Sequence, residues 1–311
     1  VIHYAISNTF QYDKIICWDA GPDYALSMGW EVIKINEIAN LQDSKVVVID
    51  NRIEENECEN LLKIVEKLIN RFFFFKIVDP YFENCYCHYY CLLLVKASHY
   101  QNTRFISPYH PAEFSKLIYN LVGAKRFITI PYPYNQEREV SLNKKKRESR
   151  IIISGAQNKH IYPYRHAVWL KTRRHLTRVF TKVLRHPGYP DMGATQAHDL
   201  TGIKYIQYLS GFKFMLVSPS RAGLEFLKYN ECAYAGCLPV GIPPDTYPEH
   251  IKELFFYVDP GKLTTSLLKL LILPEKQIQK RVQAFRNFLR QTRSPEVLNQ
   301  TFLDFIEANK H

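Results

Sequence analysis

Short apolar runs alternate along the chain with stretches whose apolar residues recur every three or four positions. Runs of four to eight apolar residues read as buried strands, and the three-to-four spacing reads as amphipathic helix. In the first half this predicts strands at 14–18, 31–35, 45–49, 72–78, 104–106 and 126–130. Helices are predicted at 24–29, 54–69, 84–96 and 111–121, the second carrying Leu61, Leu62, Val65 and Leu68 on one face. The strands are continuously apolar rather than alternating, which is the pattern of a parallel sheet covered on both faces.

The second half repeats the alternation. Strands are expected at 150–154, 179–184, 212–217, 238–242 and 254–258. Helices are expected through Trp169 and Leu176, at 199–210, 224–235 and 263–272, and at 275–291 and 295–309. The stretch 211–245 forms one complete strand–turn–helix–strand unit, whose crossover is almost always right-handed. Its helix should end at Gly236, a natural C-terminal stop. Between the halves, apolar content drops and Lys144-Lys145-Lys146-Arg147 follows, as in a solvated linker that could also touch phosphates. The expected organisation is a first α/β domain at 1–135, a basic linker at 136–149, a second α/β domain at 150–290 and a C-terminal helix at 291–311 packing back.

Composition narrows this picture. At 311 residues, 46% hydrophobic and 23% charged, the chain is long enough for two cores and ordinary for a globular protein. No apolar run approaches the ~18 residues of a membrane span. Lysine and arginine exceed aspartate and glutamate by eleven, which suits either a solvated basic surface or an anion site. No basic–aromatic motif supports nucleic-acid binding. Cys85, Cys87 and Cys91 lie near His88, but their spacing matches no standard zinc pattern, so no metal is expected. Reduced thiols and a cytoplasmic location are the expectation. The chain begins with Val1, which suggests one module of a longer polypeptide.

Ligands of doubly wound sheets sit beyond the carboxyl ends of the strands. Asp19, Asp50 and Asp79 each close an expected strand, where an aspartate is either a chemical group or a turn and helix cap. Basic residues gather near expected helix starts in the second half: Arg165, Arg221 and Lys228. A helix start offers free N–H groups and the positive end of the dipole to an anion. The usual fingerprints are missing: no Gly-x-x-x-x-Gly-Lys-Ser/Thr, no Gly-x-Gly-x-x-Gly after a strand and no Gly-x-Ser-x-Gly. That argues against kinase, ATPase, dehydrogenase and serine-hydrolase readings. An anionic donor in the second half and a proton acceptor in the first follow from the asymmetry.

The stretch Phe212-Lys213-Phe214, Ser218 to Ser220, Lys228-Tyr229-Asn230-Glu231 and Ala235-Gly236-Cys237-Leu238-Pro239-Val240 resembles the donor-binding core of GT-B glycosyltransferases, especially the exostosin-like group. A similar order occurs in GDP-fucose-dependent fucosyltransferases. Ser154-Gly155-Ala156 with Tyr164-Arg165, and His186-Pro187-Gly188-Tyr189, resemble large-virus and algal glycosyltransferases. The motif-bearing part spans 151–245.

The resemblance implies two Rossmann-like, doubly wound domains facing across a cleft. It implies transfer of a sugar from a UDP- or GDP-sugar, GDP-fucose included, to a hydroxyl of a glycan or glycoprotein. The reaction is expected to be inverting and metal-independent, with no cofactor beyond the donor. Glu231 would bind the ribose hydroxyls. Lys228, where exostosin-like proteins usually carry arginine, would pair with the pyrophosphate together with Arg165. Ser218 and Ser220 would belong to the donor-binding turn, and backbone N–H groups near Gly223 and Leu224 would cap the β-phosphate. Gly155 would admit the sugar nucleotide beside Tyr164, and His186 and Tyr189 lie where a base-recognition loop is expected. Asp19 is the first choice for the general base, then Asp79 and His110. Each residue also has an ordinary alternative: Lys228 and Glu231 as an i,i+3 surface ion pair, Arg165 as a solvated charge, His186 as a loop residue. A non-catalytic sugar- or nucleotide-binding module of a larger transferase is the alternative reading of the whole.

Overall fold

The structure, a computed structural model, describes residues 1–15, 20–42, 45–79, 88–142, 147–173, 175–188 and 197–309. The chain divides into two compact units, 1–133 with 295–311, and 134–294.

The first unit holds strands β1 (Ile2–Ile6), β2 (Glu31–Lys34), β3 (Val46–Ile49), β4 (Phe72–Lys76), β5 (Thr103–Ser107) and β6 (Phe127–Thr129). They form one parallel sheet in the order β2-β1-β3-β4-β5-β6. Between them run α1 (Pro22–Ser27), α2 (Glu55–Lys67), α3 (His88–Ala97) and α4 (Glu113–Val122). The first strand corrects the sequence expectation of one at 14–18. Residues Tyr12–Lys14 form a 3-10 turn, and 16–18 lie outside the described residues. The true first strand escapes an apolar-run search because His3 and Tyr4 interrupt it, though both are buried.

Side chains on a strand alternate between sheet faces, and β4 shows what each face meets. Phe73 and Phe75 enter a core with Val47, Ile49, Leu61, Val65, Leu94 and Phe105. Phe74 points the other way, onto Phe302 at 4.7 Å and Phe305 at 6.1 Å between ring centroids. Trp30 packs on Phe302 at 5.0 Å, and its Nε1 donates to Asn299 Oδ1 at 2.9 Å. The last helix of the chain therefore covers the second face of the first sheet.

The second unit has β7 (Glu148–Ile153), β8 (Thr181–Val183), β9 (Phe212–Val217) and β10 (Leu238–Gly241), all parallel, in the order β10-β9-β7-β8. Its helices are α5 (Pro163–Thr172), α6 (His175–Arg178), α7 (Gly202–Leu209), α8 (Leu227–Tyr234), α9 (Glu249–Lys252), α10 (Leu263–Leu271) and α11 (Glu275–Arg293). The helix closing the first unit is α12 (Pro295–Ala308). Ile151, Ile153, Phe214, Leu216, Leu238 and Val240 share a core with Val258, Leu267, Ile278 and Val282.

Three expectations for this unit change. The helix through Trp169 and Leu176 is two helices, α5 and α6. No strand forms at 254–258, where Phe256 makes only an isolated bridge to Val240. Glu139, within the charged stretch read as solvated linker, is buried and accepts from Arg290 Nε at 2.8 Å and from Arg286 Nη1 at 3.3 Å. Lys144 to Lys146 lie outside the described residues.

Arg286 also ties α11 to the end of α8, donating from Nε to the Ala233 carbonyl at 2.8 Å and from Nη2 to Tyr234 at 3.0 Å. That helix ends as the sequence predicts. Gly236 has φ +68°, its N–H reaches Ala233 O at 3.0 Å, and Cys237 N–H reaches Cys232 O at 3.0 Å. This is a Schellman stop. Cys91 is disulfide-bonded, which corrects the expectation of a reduced thiol at that position. Cys58, Cys232 and Cys237 form no disulfide. Among the described residues no helix is long and apolar enough to cross a membrane.

A Cβ added at Gly236 would lie 2.6 Å from Leu142 Cδ2 and 3.1 Å from Arg286 Nη2, in a left-handed backbone. Gly236→Ala is expected to cost about 2 kcal/mol, read as a lower urea midpoint at unchanged slope.

Candidate functional site

In the second sheet the chain lays down β7, crosses to β8 on one side and returns to β9 on the other. The order of winding reverses between β7 and β9, and their carboxyl ends are where sheets of this kind hold ligands. Ser154, Gly155 and Ala156 follow β7, Ser218 follows β9, and α8 begins nine residues beyond Ser218.

Gly155 has φ +89°, and two cations close over it. A Cβ at this position would lie 3.0 Å from Arg165 Nη1 and 3.0 Å from Lys228 Cε. Only glycine lets both side chains reach the strand end. Arg165 stands on the first turn of α5, which Pro163 starts, and is 2% exposed. Its Nη1 donates to Ala156 O at 3.2 Å, and its guanidinium carbon lies 4.3 Å from the Tyr162 ring centroid. Arg165 Nε and Nη2 are buried with no hydrogen-bond partner. Burying a charged donor without a partner is costly, and Arg165 is therefore not the solvated charge that the sequence left open.

Lys228 is the second residue of α8, and its Nζ donates to Glu231 Oε2 at 2.6 Å and to Tyr205 Oη at 2.9 Å. The Lys228 and Glu231 side chains are 20% and 22% exposed, so the pair is not a surface one. Burial pulls the Lys228 ammonium toward a lower pKa, but Glu231 and Tyr205 outweigh it and the pKa stands above the ordinary lysine value. Tyr205 Oη lies 2.7 Å from Ser154 Oγ. Burial first, and Glu231 with it, raise the Tyr205 phenol to about 12 despite the neighbouring ammonium. Tyr205 was absent from the sequence reading, because a tyrosine in an amphipathic helix carries no mark of its partner.

The structure brings Gly155, Arg165, Lys228 and Glu231 together. The Ser218 hydroxyl, at the next strand end, is fully buried without a partner. His186 lies in a loop after β8, its Nδ1 accepting from Gly188 N–H at 3.1 Å. Other expected positions are already engaged. Tyr164 donates its hydroxyl to Val258 O at 2.7 Å. Ser220 Oγ accepts from Ala222 N–H at 3.2 Å, and Gly223 N–H donates to Ser220 O at 3.1 Å. The helix opens at Leu227 rather than 224, so Gly223 and Leu224 lie in the turn before it and Leu224 is buried. The late start has a local cause: the chain runs through a Ser220–Gly223 turn before Phe226 takes the N-cap position. Tyr189 lies outside the described residues.

In the first unit Asp50, at the end of β3, is fully buried and accepts from the Tyr4 hydroxyl and from Tyr12 Oη at 2.9 Å. Both its oxygens serve the fold. Asp79 lies in the loop after β4 and His110 in the loop after β5. Asp19 lies outside the described residues.

No family model and no curated protein match the sequence. Solved structures match the fold along most of the chain. The trehalose-6-phosphate synthase OtsA aligns at TM-score 0.57 and 13% identity, over 86% of this chain and 73% of its own. The fold is GT-B. An α,α-trehalose-phosphate synthase (UDP-forming) from Burkholderia xenovorans, in complex with glucose-6-phosphate, aligns at 0.52 and 11%, over 81% and 77%. The N-terminal domain of Candida albicans trehalose-6-phosphate phosphatase aligns at 0.58 and 9%, over 100% and 97%. At these identities the likeness speaks for the GT-B fold and leaves the chemistry to the residues.

His186 tests the electrostatics of the site. Burial first, then the charges of Lys228, His198 and Arg165, push its pKa from 6.5 down to about 4. The folded protein thus binds fewer protons than the unfolded chain between these values, and stability is lost as pH falls from 6.5 toward 4. With the side chain only partly buried, this amounts to about 1–2 kcal/mol. Melting curves at pH 7 and pH 4.5 should show a smaller acid loss for His186→Asn than for the parent.

Proposed function

We propose that this protein is a glycosyltransferase that moves a sugar from a nucleoside-diphosphate sugar to a hydroxyl of a glycan or glycoprotein acceptor. The observation that carries the reading is Arg165, a buried guanidinium with two unpartnered nitrogens, converging with Lys228 on Gly155. Glu231 pairs with Lys228 alone, Arg165 has no carboxylate partner, and an incoming diphosphate would supply the acceptors that Arg165 lacks. An arginine fork suits two phosphate oxygens, and the lysine adds a point charge.

Glycosyl transfer needs the leaving diphosphate stabilised as the glycosidic bond breaks. Arg165, Lys228 and the start of α8 would do this by preorganised charge, which is the support for a metal-independent reaction. Glu231, released from Lys228, would accept from the ribose hydroxyls, and Ser218 would meet a phosphate oxygen. An inverting reaction needs a base within ~3 Å of the acceptor hydroxyl, and Asp19 is the first candidate, ahead of Asp79 and His110. A UDP-sugar is favoured by the fold likeness to a UDP-forming synthase. The residue order across 212–240 keeps exostosin-like donors and GDP-fucose in the same reading.

A second reading is a non-catalytic sugar- or nucleotide-binding module. It is favoured by the similar domain that stands at the N-terminus of a protein named as a phosphatase.

The test is a thermal-shift screen against UDP, GDP, TDP and CMP. A nucleotide at about 100 times its dissociation constant adds about 2.7 kcal/mol of stability. UDP or GDP should raise the melting temperature, and Arg165→Met should abolish most of that shift; no shift with any nucleotide ends the proposal. Asp19→Asn should then lose transfer while keeping the nucleotide shift, with Asp79→Asn sparing both. A parent that binds nucleotide but neither transfers nor hydrolyses any offered UDP- or GDP-sugar would favour the module reading.

A further inference from the structure

We infer that Tyr205, on α7, is the positioning residue that aims Lys228 at the diphosphate, acting through a hydrogen-bonded chain that ends on Ser154. The inference rests on the glycosyltransferase reading above and names a residue that the motif likeness does not reach.

The inventory of donors fixes the direction of the first contact. An ammonium donates three hydrogen bonds and accepts none. Tyr205 Oη, 2.9 Å from Lys228 Nζ, must therefore be the acceptor in that contact. The same Oη lies 2.7 Å from Ser154 Oγ, a hydroxyl pair in which either oxygen can donate. The order is Lys228 to Tyr205 to Ser154, and Ser154 is fixed in turn by its place at the end of β7. The phenol ring also lies beneath the ammonium, its centroid 4.7 Å from Nζ. A cation over a ring face gains electrostatic attraction when desolvated.

Tyr205 and Glu231 hold the same ammonium with different consequences. Glu231 is charged, only 2.6 Å away and on the same helix, so it competes with any anion for Lys228. Tyr205 is neutral, with its phenol held protonated at ordinary pH. It fixes the position of Nζ without cancelling its charge. When a nucleotide arrives and Glu231 turns to the ribose, Tyr205 is the contact that stays. Lysine lacks the planar fork of arginine and is a flexible point charge, so it needs such an outside fixture.

The test compares nucleoside diphosphate with nucleoside on the same protein: UDP against uridine and GDP against guanosine, by titration calorimetry. Tyr205→Phe keeps the ring and removes the acceptor. It should weaken the diphosphate about ten-fold, the size of one hydrogen bond to a charged group, and leave the nucleoside within about two-fold. In a Lys228→Met background the same change should add nothing, since there is no ammonium left to aim. Equal weakening of diphosphate and nucleoside, no weakening of either, or a full additional loss in the Lys228→Met background would each overturn the inference. If Tyr205→Phe does not fold, Ser154→Ala takes its place. It removes the hydroxyl bonded to Tyr205 Oη and should weaken the diphosphate about three-fold, selectively; an unchanged ratio overturns the inference. A parent protein that binds neither UDP nor GDP would instead overturn the glycosyltransferase reading itself, and this inference with it.

Discussion

A parallel strand cannot return by a hairpin, and everything distinctive about the second unit follows from that constraint. Each pair of neighbouring strands needs a crossover, and the crossovers after β7 leave first toward β8 and later toward β9. They part at the carboxyl ends of β7 and β9. The backbone at Gly155 and the hydroxyl of Ser218 lie buried beneath what the flanking helices bring. What they bring is positive charge: Arg165 from α5 and Lys228 from α8, both closing on Gly155.

Charge of one sign in a buried crevice is unstable by itself, and the molecule offsets it unequally. Lys228 has Glu231 and Tyr205. Arg165 has one backbone carbonyl and an aromatic face, with two nitrogens unpaired. The field of these cations reaches His186, whose proton affinity falls, burial being the larger cause. The first unit treats its charge differently. Asp50 occupies the comparable switch point between β1 and β3, but two tyrosine hydroxyls close over its carboxylate. Lys76, fully buried, lies 3.7 Å from the Tyr24 ring centroid and donates to Tyr4 Oη at 3.2 Å. There the carboxylate, the phenols and the ammonium bond to one another and hold strand ends together. In the second unit the polar groups are left with capacity for a ligand.

The two kinds of unit-building also explain which elements were legible. Strands such as β3, with Val46, Val47, Val48 and Ile49 all buried, announce themselves as apolar runs. β1 does not, because its buried His3 and Tyr4 look polar in a one-dimensional reading. The 254–258 run failed in the opposite sense. It is apolar enough for a strand but only Phe256 meets β10. The buried Glu139 looked like linker charge until Arg286 and Arg290 arrived from a helix far along the chain.

By itself the sequence determined the parallel α/β grammar, the β9–α8–β10 unit and the stop at Gly236. These depend on residues near one another in the chain, where periodicity and backbone preference act directly. It also placed glycine, arginine, lysine and glutamate at 155, 165, 228 and 231. Only the tertiary structure decided that Arg165 would be buried and short of partners, and that Lys228 would lean on Tyr205 and Ser154. Those outcomes join four separate elements, after β7 and on α5, α7 and α8. Periodicity tells a helix which face to bury. Which neighbour's hydroxyl or carbonyl waits on the other side is set by the crossovers, and no local pattern records it.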